Sequence, residues 1–146
     1  MTVKNARVLI VDDHAKMREN LHLVLESERD LEIIDEIPLS RLSMHEAMSL
    51  NPDVVVLGMS HAGRIEIDSI NFIKMRSPAV KIVALTLSNE PTYLHAVLDA
   101  GADAYVLKDD GRAELVNAIG SVIRGDRYVS LGVTNSTTRT DSENDS

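Results

Sequence analysis

Cysteine and tryptophan are absent from the 146 residues, and phenylalanine occurs once. Without cysteine there are no disulfides, no thiol chemistry and no zinc–thiolate site. With so few aromatics the core must be aliphatic, and a base or flavin ring finds little to stack on. Basic residues are also scarce, 15 against 23 acidic, and the resulting net charge of −8 repels phosphate backbones. No nucleic acid is expected to bind this domain alone, and no anionic membrane either. Long apolar runs are missing too. Nothing approaches membrane-spanning length, and Met1-Thr2-Val3-Lys4 leads into a strand instead of a secretion signal, so the cytoplasm is the expected compartment.

What is present is a chain that is 44% hydrophobic, enough for one packed domain of this length. Its centre is Val54-Val55-Val56-Leu57, a run of aliphatic residues that reads as a buried parallel strand. Four more apolar runs read as strands: Arg7–Val11, Leu31–Ile34, Lys81–Leu85 and Ala104–Leu107. Between them lie helical stripes. Met17, Leu21, Val24 and Leu25 mark a helix over Ala15–Glu26, and Ser43 with Glu46 suggests a capping box opening a second. Residues 59–66 read as a loop, and Ile67, Ile70 and Ile73 as the third helix. Pro91 suits the first position of a fourth helix that Gly101 ends. Leu115, Val116, Ile119, Val122 and Ile123 carry the fifth, which stops at Gly125.

Five strands alternating with five helices predict an α/β doubly wound sandwich, flavodoxin-like, with a five-stranded parallel sheet in the order 2-1-3-4-5. The domain spans 1–130. Of the sixteen residues in 131–146, eleven are Ser, Thr, Asn or Asp, so that stretch is expected to be a disordered tail or an interdomain linker.

In such sheets chemistry sits at the carboxyl ends of the strands. Those ends present Asp12 and Asp13, then Gly58, then Thr86, then Lys108. Paired carboxylates suit a magnesium ion, and a hydroxyl with an ammonium suits a cluster of anionic oxygens. Each residue alone is most simply a strand end or a solvated charge. All of them on one edge is a constellation.

VLIVDDH, PDVVVLG, VALT and AGADAYVLKDD, in that order, resemble a response-regulator receiver domain over about residues 6–130. The resemblance is to the NarL/FixJ-like branch, with Lys-Asp after the fifth strand. It implies that Asp12 and Asp13 hold magnesium, that Thr86 is the switch hydroxyl, that Lys108 meets the phosphoryl group and that Tyr105 is the switch aromatic. It also implies an aspartate at position 58 that accepts phosphate from a histidine kinase. Here that position is Gly58, which has no nucleophile, and the departure continues through His61-Ala62-Gly63 and Arg64-Ile65-Glu66.

A phosphorylation-independent pseudo-receiver is therefore expected, acting as an interaction or regulatory module and forming part of a transcription regulator if a helix-turn-helix domain follows. Its catalytic set is empty, no cofactor is required, and magnesium is at most weakly held. Lys108 is expected to settle on Asp13 as a standing ion pair. The partner is a second copy or another protein, met through the face of helix 4, strand 5 and helix 5. Substitute acceptors are poor. Asp53 lies about 16 Å away along the strand, Asp68 falls in the third helix's first turn, Ser60 lacks a base, and His61 reads as a loop residue. A phosphatase-like enzyme with Asp12 as nucleophile would need its second acid two positions on, whereas Asp12 and Asp13 are adjacent.

Overall fold

The computed structural model describes residues 5–59 and 64–130. The chain alternates β1 (Ala6–Val11), α1 (Ala15–Glu26), β2 (Leu31–Ile37), α2 (Arg41–Met48), β3 (Val54–Met59), α3 (Arg64–Arg76), β4 (Lys81–Thr86), α4 (Pro91–Asp99), β5 (Ala104–Leu107), α5 (Arg112–Ile123) and β6 (Tyr128–Val129). A single 3-10 turn, Lys108–Asp110, links β5 to α5. The sheet has six strands in the order β2-β1-β3-β4-β5-β6, all pairs parallel.

The strand order 2-1-3-4-5 holds, but the strand count is six, not five. The added strand is two residues long and lies against β5, pairing Ala104 with Tyr128 and Tyr105 with Val129. Two residues are too few to show an alternating pattern. Side-chain and main-chain hydrogen bonds fix it: Ser130 donates its amide to the Tyr105 carbonyl at 2.9 Å and its hydroxyl accepts the Leu107 amide at 3.2 Å.

Alternation along the strands divides the core. Val8, Ile10, Val54, Val56, Val83, Ala104 and Val106 face α1 and α5, meeting Leu21, Leu25, Leu115 and Ile119. Leu9, Val11, Val55, Leu57, Ile82, Ala84 and Tyr105 face the opposite layer, meeting Met44, Ile70, Ile73, Leu94 and Val97. All six residues of β3 are buried, as expected for a central strand covered on both sides. Register sets the site. Val8 to Val11 pair with Val54 to Leu57, so the next step puts Asp12 beside Gly58 with both on the α1/α5 side.

Several boundaries differ from the sequence reading. β2 runs on through Asp35 and Glu36 to Ile37, because a bulge opposite Val8/Leu9 shifts the register and an edge strand tolerates exposed carboxylates. α2 opens at Arg41, which places Ser43 inside the helix and not at its N-cap position. Met59 belongs to β3 and α3 begins at Arg64, so only residues 60–63 of the expected loop remain, outside the described set. Gly101 ends α4 region at φ 120°, where its amide bonds the Leu98 carbonyl at 3.0 Å.

Candidate functional site

Asp12, Gly58, Thr86 and Lys108 meet at the carboxyl ends of β1, β3, β4 and β5. Gly58 is the penultimate residue of β3, not the first beyond it. Its φ is not positive, so the backbone does not require glycine here. Space does. A Cβ at this position would lie 1.8 Å from Asp12 Oδ2, 2.7 Å from Cγ and 3.1 Å from Cβ. The Asp12 carboxylate fills the place of the side chain that residue 58 lacks.

Asp12 is fully buried. Its Oδ1 accepts the His14 amide at 2.8 Å and lies 3.3 Å from His14 Nδ1. Its main-chain carbonyl accepts a bond from the Arg18 guanidinium. Oδ2 accepts no hydrogen bond among the described residues and faces Lys108 Nζ at 3.8 Å. The Lys108 side chain is only 8% exposed, so this ion pair is shielded from water and salt. The ammonium has settled on Asp12, not on Asp13 as expected. Successive carboxylates on an extended chain point opposite ways. Asp12 keeps the parity of Val8 and Ile10, while Asp13 turns outward and accepts the Leu39 amide on Oδ1 at 2.8 Å.

Thr86, at the end of β4, is buried, and its hydroxyl accepts the Ser88 amide at 3.1 Å. Tyr105 is among the largest fully buried side chains and donates its hydroxyl to the Ser88 carbonyl at 2.5 Å. Ser88 thus ties the threonine to the tyrosine. Burial raises the Tyr105 pKa against the opposing pull of hydrogen bonds with Thr86 and Ser88. The sequence reading did not place Tyr93 in this group. It packs edge-on to Tyr105, with ring centroids 6.3 Å apart at 74°, and its hydroxyl reaches Met59 Sδ at 3.8 Å. Burial, then the negative charge of Glu66, pushes its pKa to about 12. Nothing in its helical stripe distinguished it from an ordinary core residue.

The other acids considered as acceptors are placed elsewhere. Asp53, at the amino end of β3, accepts the Arg7 amide at 2.9 Å and serves to align β1 with β3. Asp68 lies in the second turn of α3, not the first, because α3 starts at Arg64. It lines a groove of about 430 Å³ with Leu39, Met44, Ile65 and Phe72. Ser60 and His61 lie outside the described residues.

Magnesium requires oxygens that converge, usually one or two carboxylates with several waters. Here the Asp12 and Asp13 carboxylates are held apart by different partners, Gly58 adds no oxygen, and Lys108 stands in front of Asp12. Among the described residues no three acidic or histidine side chains gather as a metal site. Among the described residues the donor set does not fit the ion.

Residues 8–120 match the response regulator receiver domain family. The chain belongs to that family. It is 33% identical over 124 residues to the response regulator GacA of Pseudomonas viridiflava, covering 85% of this chain and 58% of that one. To the nitrate/nitrite response regulator NarP of Escherichia coli it is 32% identical over 124 residues, with the same coverage. The isolated receiver domain of RcsB from Salmonella enterica, solved with the phosphomimetic BeF3-, superposes with a TM-score of 0.81 at 27% identity over 90% of this chain and 98% of that. The chain spans less than two thirds of the length of the curated relatives it matches. It is a receiver domain of the two-component response-regulator type, similar to the nitrate/nitrite branch. No helix among the described residues is long and apolar enough to cross a membrane.

Proposed function

We propose that this receiver works without phosphorylation, as an interaction or regulatory module in two-component-type signalling. One observation carries the reading: the acceptor position is Gly58, and the carboxylate of Asp12 occupies the side-chain space there. An aspartyl phosphate needs a carboxylate oxygen open to attack a phosphorus atom in line. Gly58 offers none, and Asp12 Oδ2 is buried behind Lys108. The catalytic set is empty and neither magnesium nor another cofactor is needed. A phosphatase-like role for Asp12 meets the same obstacle.

The fold around the absent chemistry is complete. Tyr105 of β5 is buried against Tyr93 of α4, and the face formed by α4, β5 and α5, with β6 at the sheet edge, is where a second copy or another protein binds in this proposal. Nucleic acid is not expected to bind the domain itself, given a net charge of −8. The length of the relatives supports residues 131–146 as a linker to an output domain, so that the whole protein is a cytoplasmic transcription regulator.

Incubation with a small phosphodonor and magnesium tests the central claim. The intact mass of the wild type stays unchanged and its amide spectrum does not move. A stoichiometric mass shift mapped to any residue would refute phosphorylation independence and favour a receiver with a different acceptor.

A further inference from the structure

We propose that Asp12 and Lys108 form a resident ion pair in place of the acceptor side chain and its metal, and that this pair excludes divalent cations from the cleft. The inference rests on the reading of Gly58 as a position without an acceptor, and it adds what has taken that position over.

Three independent features point the same way. The Asp12 carboxylate lies where residue 58's Cβ would be, with Oδ2 1.8 Å from that point. The same oxygen is buried, accepts no hydrogen bond among the described residues and faces Lys108 Nζ at 3.8 Å. Of the other oxygens, Asp12 Oδ1 is committed to His14 and Asp13 Oδ1 to the Leu39 amide.

A charge buried without a partner is strongly disfavoured. With glycine at position 58, β3 offers the Lys108 ammonium no carboxylate, and Asp12, on the same sheet face, fills the volume a side chain there would take. A divalent cation approaching Asp12 Oδ2 meets an ammonium 3.8 Å from that oxygen in a shielded site, where like charges repel steeply. The lysine does the metal's electrostatic work.

The test titrates the labelled chain with magnesium chloride and, separately, with paramagnetic manganese, following the amides of Asp12, Asp13, Gly58 and Met59. The wild type shows no saturable shift and no broadening centred on Asp12. Lys108→Met frees Oδ2 and gains saturable manganese binding, tighter than wild type by roughly tenfold or more. Saturable binding at Asp12 in the wild type overturns the proposal. So does a folded Lys108→Met that refuses the ion, since the lysine would then not be what excludes it. Lys108→Arg keeps the positive charge and refuses the ion as the wild type does; should Lys108→Met not fold, binding by Lys108→Arg overturns the proposal. The outcomes separate from those of phosphorylation: a chain that gains mass from a phosphodonor yet refuses the ion sinks the earlier reading alone, and a chain that binds the ion without gaining mass sinks this one alone.

Discussion

Replacing Gly58 with alanine should be harmful here, although the backbone argues the opposite. Glycine in a strand is about 0.5–1 kcal/mol worse than alanine when the geometry suits both, and Gly58 sits in β3 without a positive φ. The added methyl, however, would lie 1.8 Å from Asp12 Oδ2, against about 3.5–4.0 Å for an ordinary contact between carbon atoms. The carboxylate has to leave. Doing so abandons Lys108, whose side chain is 8% exposed. Breaking a buried ion pair costs about 3–5 kcal/mol, so the net destabilisation is roughly 2–4 kcal/mol after the backbone gain. Urea denaturation of four proteins measures it: wild type, Gly58→Ala, Asp12→Ala and the double variant. In the Asp12→Ala background the methyl meets no carboxylate, and Gly58→Ala becomes neutral or stabilising. The coupling energy should therefore reach about 2 kcal/mol or more. A Gly58→Ala protein as stable as the wild type, or a coupling near zero, would refute the claim that Asp12 occupies this space.

Other predictions concern different parts of the molecule. Tyr93 and Tyr128 have pKa values raised from 10.0 to about 12, by burial first and, for Tyr128, by the Glu114 carboxylate that accepts its hydroxyl at 2.7 Å. Their folded values lie above the unfolded one, so the stability they confer is whole below pH 10 and is lost as pH rises toward 12. Tyrosinate absorbance should show this as an ionisation that falls back toward 10 in denaturant; a native titration already at 10 would contradict it. Tyr105→Phe removes the bond to the Ser88 carbonyl and should cost about 1–2 kcal/mol in thermal or chemical unfolding. Asp53→Ala strips the Arg7 amide of its acceptor and should cost about 1–2 kcal/mol while leaving the Lys108 and Asp12 resonances in place; a change confined to the cleft would mean Asp53 acts there after all.

Much of this architecture is readable from residues alone, because a doubly wound sheet announces itself through short aliphatic runs. Val54–Leu57 and Ile82–Leu85 are buried on both faces, so hydrophobicity alone marks them. β6 escapes such reading since Tyr128 and Val129 are held by a single neighbouring strand and by the Ser130 hydroxyl. The tail of β2 escapes for a related reason: Asp35 and Glu36 occupy an edge where water reaches them.

In the cleft, the identity of the residues was legible and their partners were not. Two adjacent carboxylates and one lysine allow two pairings. Strand parity decides between them, since Asp12 continues the Val8–Ile10 face and Asp13 does not. That information was in the sequence, but it became usable only with the β1–β3 register that sets Asp12 against Gly58. Ser88 and Tyr93 had no sequence signal of comparable strength. One acts through main-chain atoms, and the other through an edge-on ring contact that depends on how α4 lies over β5.

The crowding of Asp12 against Gly58 also bears on which sequences are accessible from this one. Gly58→Asp would put its side chain into occupied space, beside a carboxylate of the same charge and a lysine already engaged. That single change therefore loses stability. A route through an intermediate altered at Asp12 avoids the collision, so the order of changes matters. The cleft admits a larger residue at position 58 only after Asp12 has given way.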